Sequence, residues 1–174
     1  MRIALIIGHK KTRPGACNDY YGICEFEFNE QLAQDVSAAC NFENFIVYRR
    51  TYSQLPGDVN GLNPDVVVSL HCNAFNQKAT GTEVLYYHTS TKGKQIASVF
   101  QKNIVNTLNL ADRGIKPKGV EDRGGYILRY THAPCVILEP FFIDNNNDLE
   151  IVRNNYDAFV GALIKSFKEI ESIL

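Results

Sequence analysis

No stretch of this 174-residue sequence stays apolar for long enough to cross a bilayer, which excludes a membrane-spanning segment. Blocks of positive charge are missing too. Lys and Arg number 18 against 19 Asp and Glu, a formal net charge of −1, and the sustained field that nucleic-acid binders use is absent. The five cysteines form no C-x-x-C pair and leave one over if they pair, and Cys40 and Cys135 lie in patterns that read as buried faces. A reduced compartment with thiols acting as small hydrophobes is the expectation. The chain opens on one Arg and five apolar residues before Gly8-His9, shorter than a signal-peptide core, so this segment reads as a first strand. Internal repeats, low-complexity tracts and interdomain linkers are absent as well.

What is present fits one self-sufficient core. A hydrophobic share of 45% with 21% charged residues is ordinary for a soluble globular protein, and the length suits a single domain over residues 1–174. Three apolar runs end on a polar residue: Ile3 to Gly8 runs into His9, Val66 to Leu70 into His71, and Cys135 to Leu138 into Glu139. Runs of this kind read as strands buried on both faces, and open α/β sheets gather their chemistry beyond the carboxyl ends of such strands. The fold class expected is therefore α/β, with a mostly parallel mixed sheet, helices on both faces and the active site at the carboxyl ends of the strands.

Between these runs, His9 to Gly22 is a polar loop, too long for a minimal connection. Phe28, Leu32, Val36 and Cys40 then mark a helix that opens near Glu25, where the helix dipole favours an anionic side chain and aims it back toward the strand ends. Phe45 to Tyr48 reads as a strand, with turns at Pro56-Gly57 and Asn60-Gly61. Thr82 to Tyr87 alternates as an edge strand, and Ile96, Phe100, Ile104 and Leu108 mark a second helix. Ala111 to Gly125 reads as a surface excursion, Tyr126 to Arg129 as a short strand, Asn145 to Asp148 as a capping segment, and Phe159 to Ile170 as a closing helix.

Two imidazoles and one carboxylate form a recurrent ligand set for catalytic zinc, which makes His9, Glu25 and His71 candidates for Zn2+. Glu139, a carboxylate at the end of an apolar strand, has the raised pKa of a general acid/base unless an arginine such as Arg113, Arg123 or Arg129 pairs with it. Taken singly, each histidine also suits a structural role, and Glu25 a solvated first turn.

Read as blocks, Ile7-Gly8-His9, Glu25-Phe26-Glu27-Phe28-Asn29, Ser69-Leu70-His71-Cys72-Asn73-Ala74 and Pro134 to Glu139 resemble the zinc-dependent N-acetylmuramoyl-L-alanine amidases of the type 3 family. The likeness extends from residue 3 to about 170 and is nearest to the catalytic domains of endolysins from phages of clostridia. It implies that His9, Glu25 and His71 hold zinc, that Glu139 is the catalytic glutamate, and that peptidoglycan is the substrate. Asn73, two residues past a ligand, and Arg113, in a basic segment matching one near the groove, are the expected substrate contacts; Lys10, Lys11 and Arg123 are further cations that stem-peptide carboxylates suit. Pro140-Phe141-Phe142 departs from the small residue usual after the glutamate, and the helix usual before the second histidine shrinks to Tyr52 through Asn63.

A further departure is expected in the cell-wall-binding domain often attached to endolysins, which is not found here, and a monomer is expected; lacking an export signal, the protein is expected to reach the wall through a holin or by lysis, where its action would be antimicrobial. Two rivals stand beside the amidase reading. One is a peptidoglycan-binding module that has lost catalysis. The other is a thiol hydrolase using Cys72 or Cys135 with His71 or His132, which requires an accessible, low-pKa thiolate.

Overall fold

Strands and helices alternate along all of residues 1–174 in the computed structural model, in the order β1 (Arg2–Ile7), β2 (Cys17–Asn18), β3 (Ile23–Cys24), α1 (Glu25–Ala39), β4 (Glu43–Tyr48), α2 (Leu55–Asn60) and β5 (Val66–Leu70). There follow β6 (Thr82–Tyr87), α3 (Thr91–Leu108), β7 (Asp112–Lys118), α4 (Gly125–Tyr130), β8 (Cys135–Glu139), α5 (Asn146–Asn154) and α6 (Tyr156–Ile170). Six strands form one sheet in the order β4-β1-β5-β8-β6-β7, and β2 and β3 form a separate hairpin. The first four of that order run parallel; β6 is antiparallel to β8 and β7 parallel to β6. This is the mostly parallel mixed sheet with helices on both faces that the sequence implies.

The two faces are covered unequally. Alternation along β1, β5 and β8 sends Ile3, Leu5, Val66, Val68, Val136 and Leu138 into a core of 31 buried residues shared with α1, α3 and α6. The opposite face, with Ala4, Ile6, Val67, Cys135 and Ile137, packs into a core of only 11, roofed by the six-residue helices α2 and α4. That thin roof leaves room for a cleft.

Five expectations need correction. Thr82 to Tyr87 is an interior strand, because residues 112–118 form the true edge beyond it. The segment expected as a surface excursion hides that edge strand: Gly114, Lys116, Pro117 and Lys118 are what a solvated edge tolerates, and they mask strand propensity. Tyr126 to Arg129 is helical, since Ile127 and Leu128 are both buried against the same sheet face, which a strand's alternation forbids. Cys17 and Cys24 are joined by a disulfide across the β2–β3 hairpin, so the expectation of thiols throughout fails for this pair. Cys72 and Cys135 are free and buried, and Cys40 is free and half-buried. Pro56-Gly57, expected as a turn, begins α2, with proline in the first turn where no hydrogen bond is lost.

Candidate metal centre and active site

Alternation places the polar strand ends side by side. In β5, Val67 and Ser69 face the thinly roofed side and His71 continues their parity; in β8, Cys135 and Ile137 do so and Glu139 continues it. The register Leu70↔Leu138 brings residues 71 and 139 next to each other, with the His71 N–H donating to the Leu138 carbonyl at 3.1 Å. On the other flank of Glu139 lies Glu83, its partner across the antiparallel β6.

His9 leaves β1 with φ +64°, in the left-handed region that a side chain rarely occupies. Its ring lies edge-on to His71 with centroids 5.3 Å apart. Glu25, the first residue of α1 and 1% exposed, reaches both: Oε2 is 3.1 Å from His9 Nε2 and Oε1 is 2.8 Å from His71 Nδ1. Oε1 also accepts from the Cys72 N–H at 3.1 Å. Burial alone would raise the Glu25 pKa, but the two histidines outweigh it and hold the carboxyl at about 2. The loop between His9 and Glu25 closes on them tightly. A Cβ at Gly15 would stand 2.6 Å from Glu25 Oε2 and 2.8 Å from the His9 ring, so only glycine, here at φ +87°, lets the backbone approach.

The donor set fits a metal ion. One donor atom each from His9, Glu25 and His71 lie within 4.8 Å of one another, and nitrogen with carboxylate oxygen is a zinc-type combination. His9 Nε2, shielded from solvent, has no hydrogen bond of acceptable geometry even though Glu25 is near. A lone pair left over at that point is what a cation would engage.

Glu139 Oε2 is likewise shut off from water and without a partner. None of Arg113, Arg123 and Arg129 pairs with it. Its pKa is pushed well above the usual carboxylate range by burial first and by the charge of Glu25 second, with Arg123 and Lys118 pulling weakly the other way. A cleft of about 540 Å³ opens over His9, His71, Asn73 and Glu139 and runs across the thinly roofed face. Asn73 is locked by its backbone, donating to the Phe141 carbonyl at 2.9 Å and accepting from the Ile143 N–H at 2.8 Å, while its Nδ2 is unpartnered.

Arg113 lies outside the cleft lining. Its Nε binds Glu83 at 2.9 Å and its guanidinium covers the Phe142 ring at 5.0 Å. Lys10 and Lys11 are also absent from the lining, whereas Arg123 belongs to it. The thiol rival loses its footing here: burial raises the Cys72 thiol far above its usual pKa and the Cys135 thiol to about 12.

Sequence reasoning missed Asp148 as a site support. Beyond the helix start where it sits, its buried carboxylate accepts from Thr80 Oγ1 at 2.5 Å, the Gly81 N–H at 3.2 Å and the Phe142 N–H at 3.0 Å. It thereby ties the loop after Asn73 to the segment after Glu139. Asn29, one turn into α1 and fully buried against Cys72, was also missed; a polar residue inside an apolar helix stripe was its only signal.

The α/β domain thus gathers a histidine and carboxylate donor cluster, an unpartnered acid next to it and a cleft over both. The chain is a member of the N-acetylmuramoyl-L-alanine amidase family, whose profile matches residues 3–167. Among curated relatives, the N-acetylmuramoyl-L-alanine amidase LytC of Bacillus subtilis is 28% identical over 151 residues, 81% of this chain and 29% of that protein. The chain spans between 16% and 49% of the length of the curated relatives it matches. Its fold is shared with an N-acetylmuramoyl-L-alanine amidase from Clostridium difficile 630, at TM-score 0.86 and 21% identity over 98% of this chain and 96% of that one. The catalytic domain of the CD27L endolysin targeting Clostridia difficile superposes at TM-score 0.81 and 23% identity, over 95% and 96% of the two chains.

Proposed function

We propose that this chain is a zinc-dependent hydrolase that cleaves the amide between the lactyl group of N-acetylmuramic acid and the L-alanine of the peptidoglycan stem peptide. The observation that carries the reading is the meeting of His9, Glu25 and His71 beside an unpartnered Glu139 in one cleft. His9, Glu25 and His71 would hold the ion, which when bound supplies Lewis acidity that activates water and polarises a carbonyl.

The chain's own residues supply the rest. Glu139 takes the proton of the attacking water, an uptake that its raised pKa favours, and returns it to the departing L-alanine amine. Glu25 accepts from the Cys72 N–H, which fixes its carboxylate between the two imidazoles. The unpartnered Asn73 Nδ2 donates a hydrogen bond to the substrate. Arg113 orients Glu83, and through it the strand end beside Glu139, in place of the substrate contact expected from its sequence block.

A digest of purified peptidoglycan tests this. New L-alanine amino termini without new reducing sugar ends, abolished by a chelator and restored by zinc, are expected. New sugar ends, or cleavage that survives complete metal removal, would overturn the reading.

A further inference from the structure

The cleft continues past Glu139 across the thinly roofed face, and its far wall is built by two segments. One follows β4 and contributes Arg49 and Tyr52; the other runs from the end of β7 to the start of α4 and contributes Lys118, Arg123 and Tyr126. Arg49 lies over the Tyr52 ring at 5.7 Å, and Tyr52 and Tyr126 are in contact with centroids 5.5 Å apart, which joins the two segments. Arg49, Lys118 and Arg123 take part in no ion pair and no side-chain hydrogen bond within the protein.

The acids on the same lining are mostly occupied. Glu83 is bound by Arg113, Asp122 Oδ2 accepts from the Gly119 N–H at 2.7 Å, and Glu139 belongs to the chemistry. Glu121 and Asp122 keep their charges, since a backbone N–H neutralises neither, and the three cations still outnumber them. Like charges gathered in a cleft repel one another, and a ligand of opposite sign relieves that cost.

We propose that Lys118 and Arg123, with Arg49 facing them, form a subsite for a carboxylate on the peptide side of the substrate. The inference rests on the amidase reading and extends it to substrate direction. In a muramyl peptide the sugar half offers hydroxyl and acetamido groups, and the negative charges next to the scissile amide belong to the peptide. The peptide therefore lies over the sheet face toward Arg123, and the glycan leaves by the rim beside His9 and Asn73. The nearest such charge is the free α-carboxylate of the second stem residue, which the corresponding amide lacks.

The test uses two soluble disaccharide-peptides that differ only in a free or amidated α-carboxyl at stem position two, incubated with the zinc-loaded protein. The wild type is expected to favour the acid by about tenfold in kcat/KM, the range of one charge-assisted hydrogen bond. In Lys118→Gln/Arg123→Gln the acid-to-amide ratio falls to about one, through KM for the acid, with zinc content unchanged; Lys102→Gln, an exposed charge on α3, keeps the wild-type ratio. Equal cleavage of acid and amide by the wild type, or an undiminished ratio in the double variant, would overturn the subsite and leave the amidase intact. Release of no L-alanine amino terminus from either compound would overturn both.

Discussion

At the scale of single residues, two carboxyls in one site are pushed in opposite directions. Glu25 is held at about 2 by His71 and His9 against the effect of burial, while burial with no partner drives Glu139 upward. A depressed pKa contributes stability that is complete above the unfolded value of about 4.3 and is lost as the pH falls toward 2. Acid titration of the metal-free protein, followed by thermal melting, should accordingly show Glu25→Gln losing less stability than wild type between pH 4 and about 2. For Glu139 the sign reverses: a raised pKa costs stability as the pH rises above about 4.3. Metal-free Glu139→Gln should match wild type near pH 4 and melt higher at pH 8, while the zinc-loaded variant loses about 10²–10⁴-fold in peptidoglycan cleavage. A Gln variant that cleaves at the wild-type rate would remove Glu139 from the mechanism. These residues were legible in the sequence because each ends an apolar run or opens a helix. Asn73 was legible by its proximity to His71. For Arg113, sequence spacing reports that a basic residue lies near the site, and the pairing with Glu83 across the strand pair is visible only in the structure.

At the scale of elements, the His9 to Glu25 connection and the Asp148 anchor hold the site from two sides. The disulfide closes the β2–β3 hairpin directly before Glu25, where the Glu25 N–H donates to the Ala16 carbonyl at 2.9 Å and the Phe26 N–H to that of Pro14 at 2.8 Å. Cross-linking a short loop of this kind is worth about 2 kcal/mol. Cys17→Ser/Cys24→Ser should lower the melting temperature and weaken zinc retention in chelator competition, and unchanged retention would free the hairpin from any role in the site. Asp148→Ala should cost about 3 kcal/mol in denaturant unfolding, because it strands a hydroxyl and two backbone N–H donors inside the protein. Strands buried on both faces and long amphipathic helices were readable by period alone. The edge strand β7 and the short helix α4 were not: lysines, Gly114 and Pro117 obey the rules of an edge, and the six residues of α4 hold too little periodicity to tell one element from the other.

At the scale of the whole molecule, the sheet order and its cover place the chemistry. The strands that end on His9, His71 and Glu139 are β1, β5 and β8, neighbours in the middle of the sheet, so their polar ends fall together without long connections. That adjacency was the inference from three like-ended runs, and pairing confirms it. The unequal roof was invisible in sequence, because α2 and α4 are six residues each and carry no pattern that announces which face they guard. Metal binding only to the folded chain should raise its stability by mass action. Zinc addition is thus expected to shift the melting temperature upward in a concentration-dependent way, and His71→Ala to abolish that shift while its own metal-free melt stays cooperative.

The unequal cover also divides the chain into parts that tolerate change differently. The core of 31 residues beneath α1, α3 and α6 carries most of the burial, whereas the roof over the cleft draws on a core of 11. Libraries randomised at exposed positions of α2, α4 and the 119–124 turn should yield many folded variants with altered substrate preference. Equal diversity along the buried stripes of α3 or α6 should yield few. The protein is in that sense a stable half-sandwich carrying an editable lid, and new specificities can accumulate on one side of its sheet without drawing on the stability held by the other.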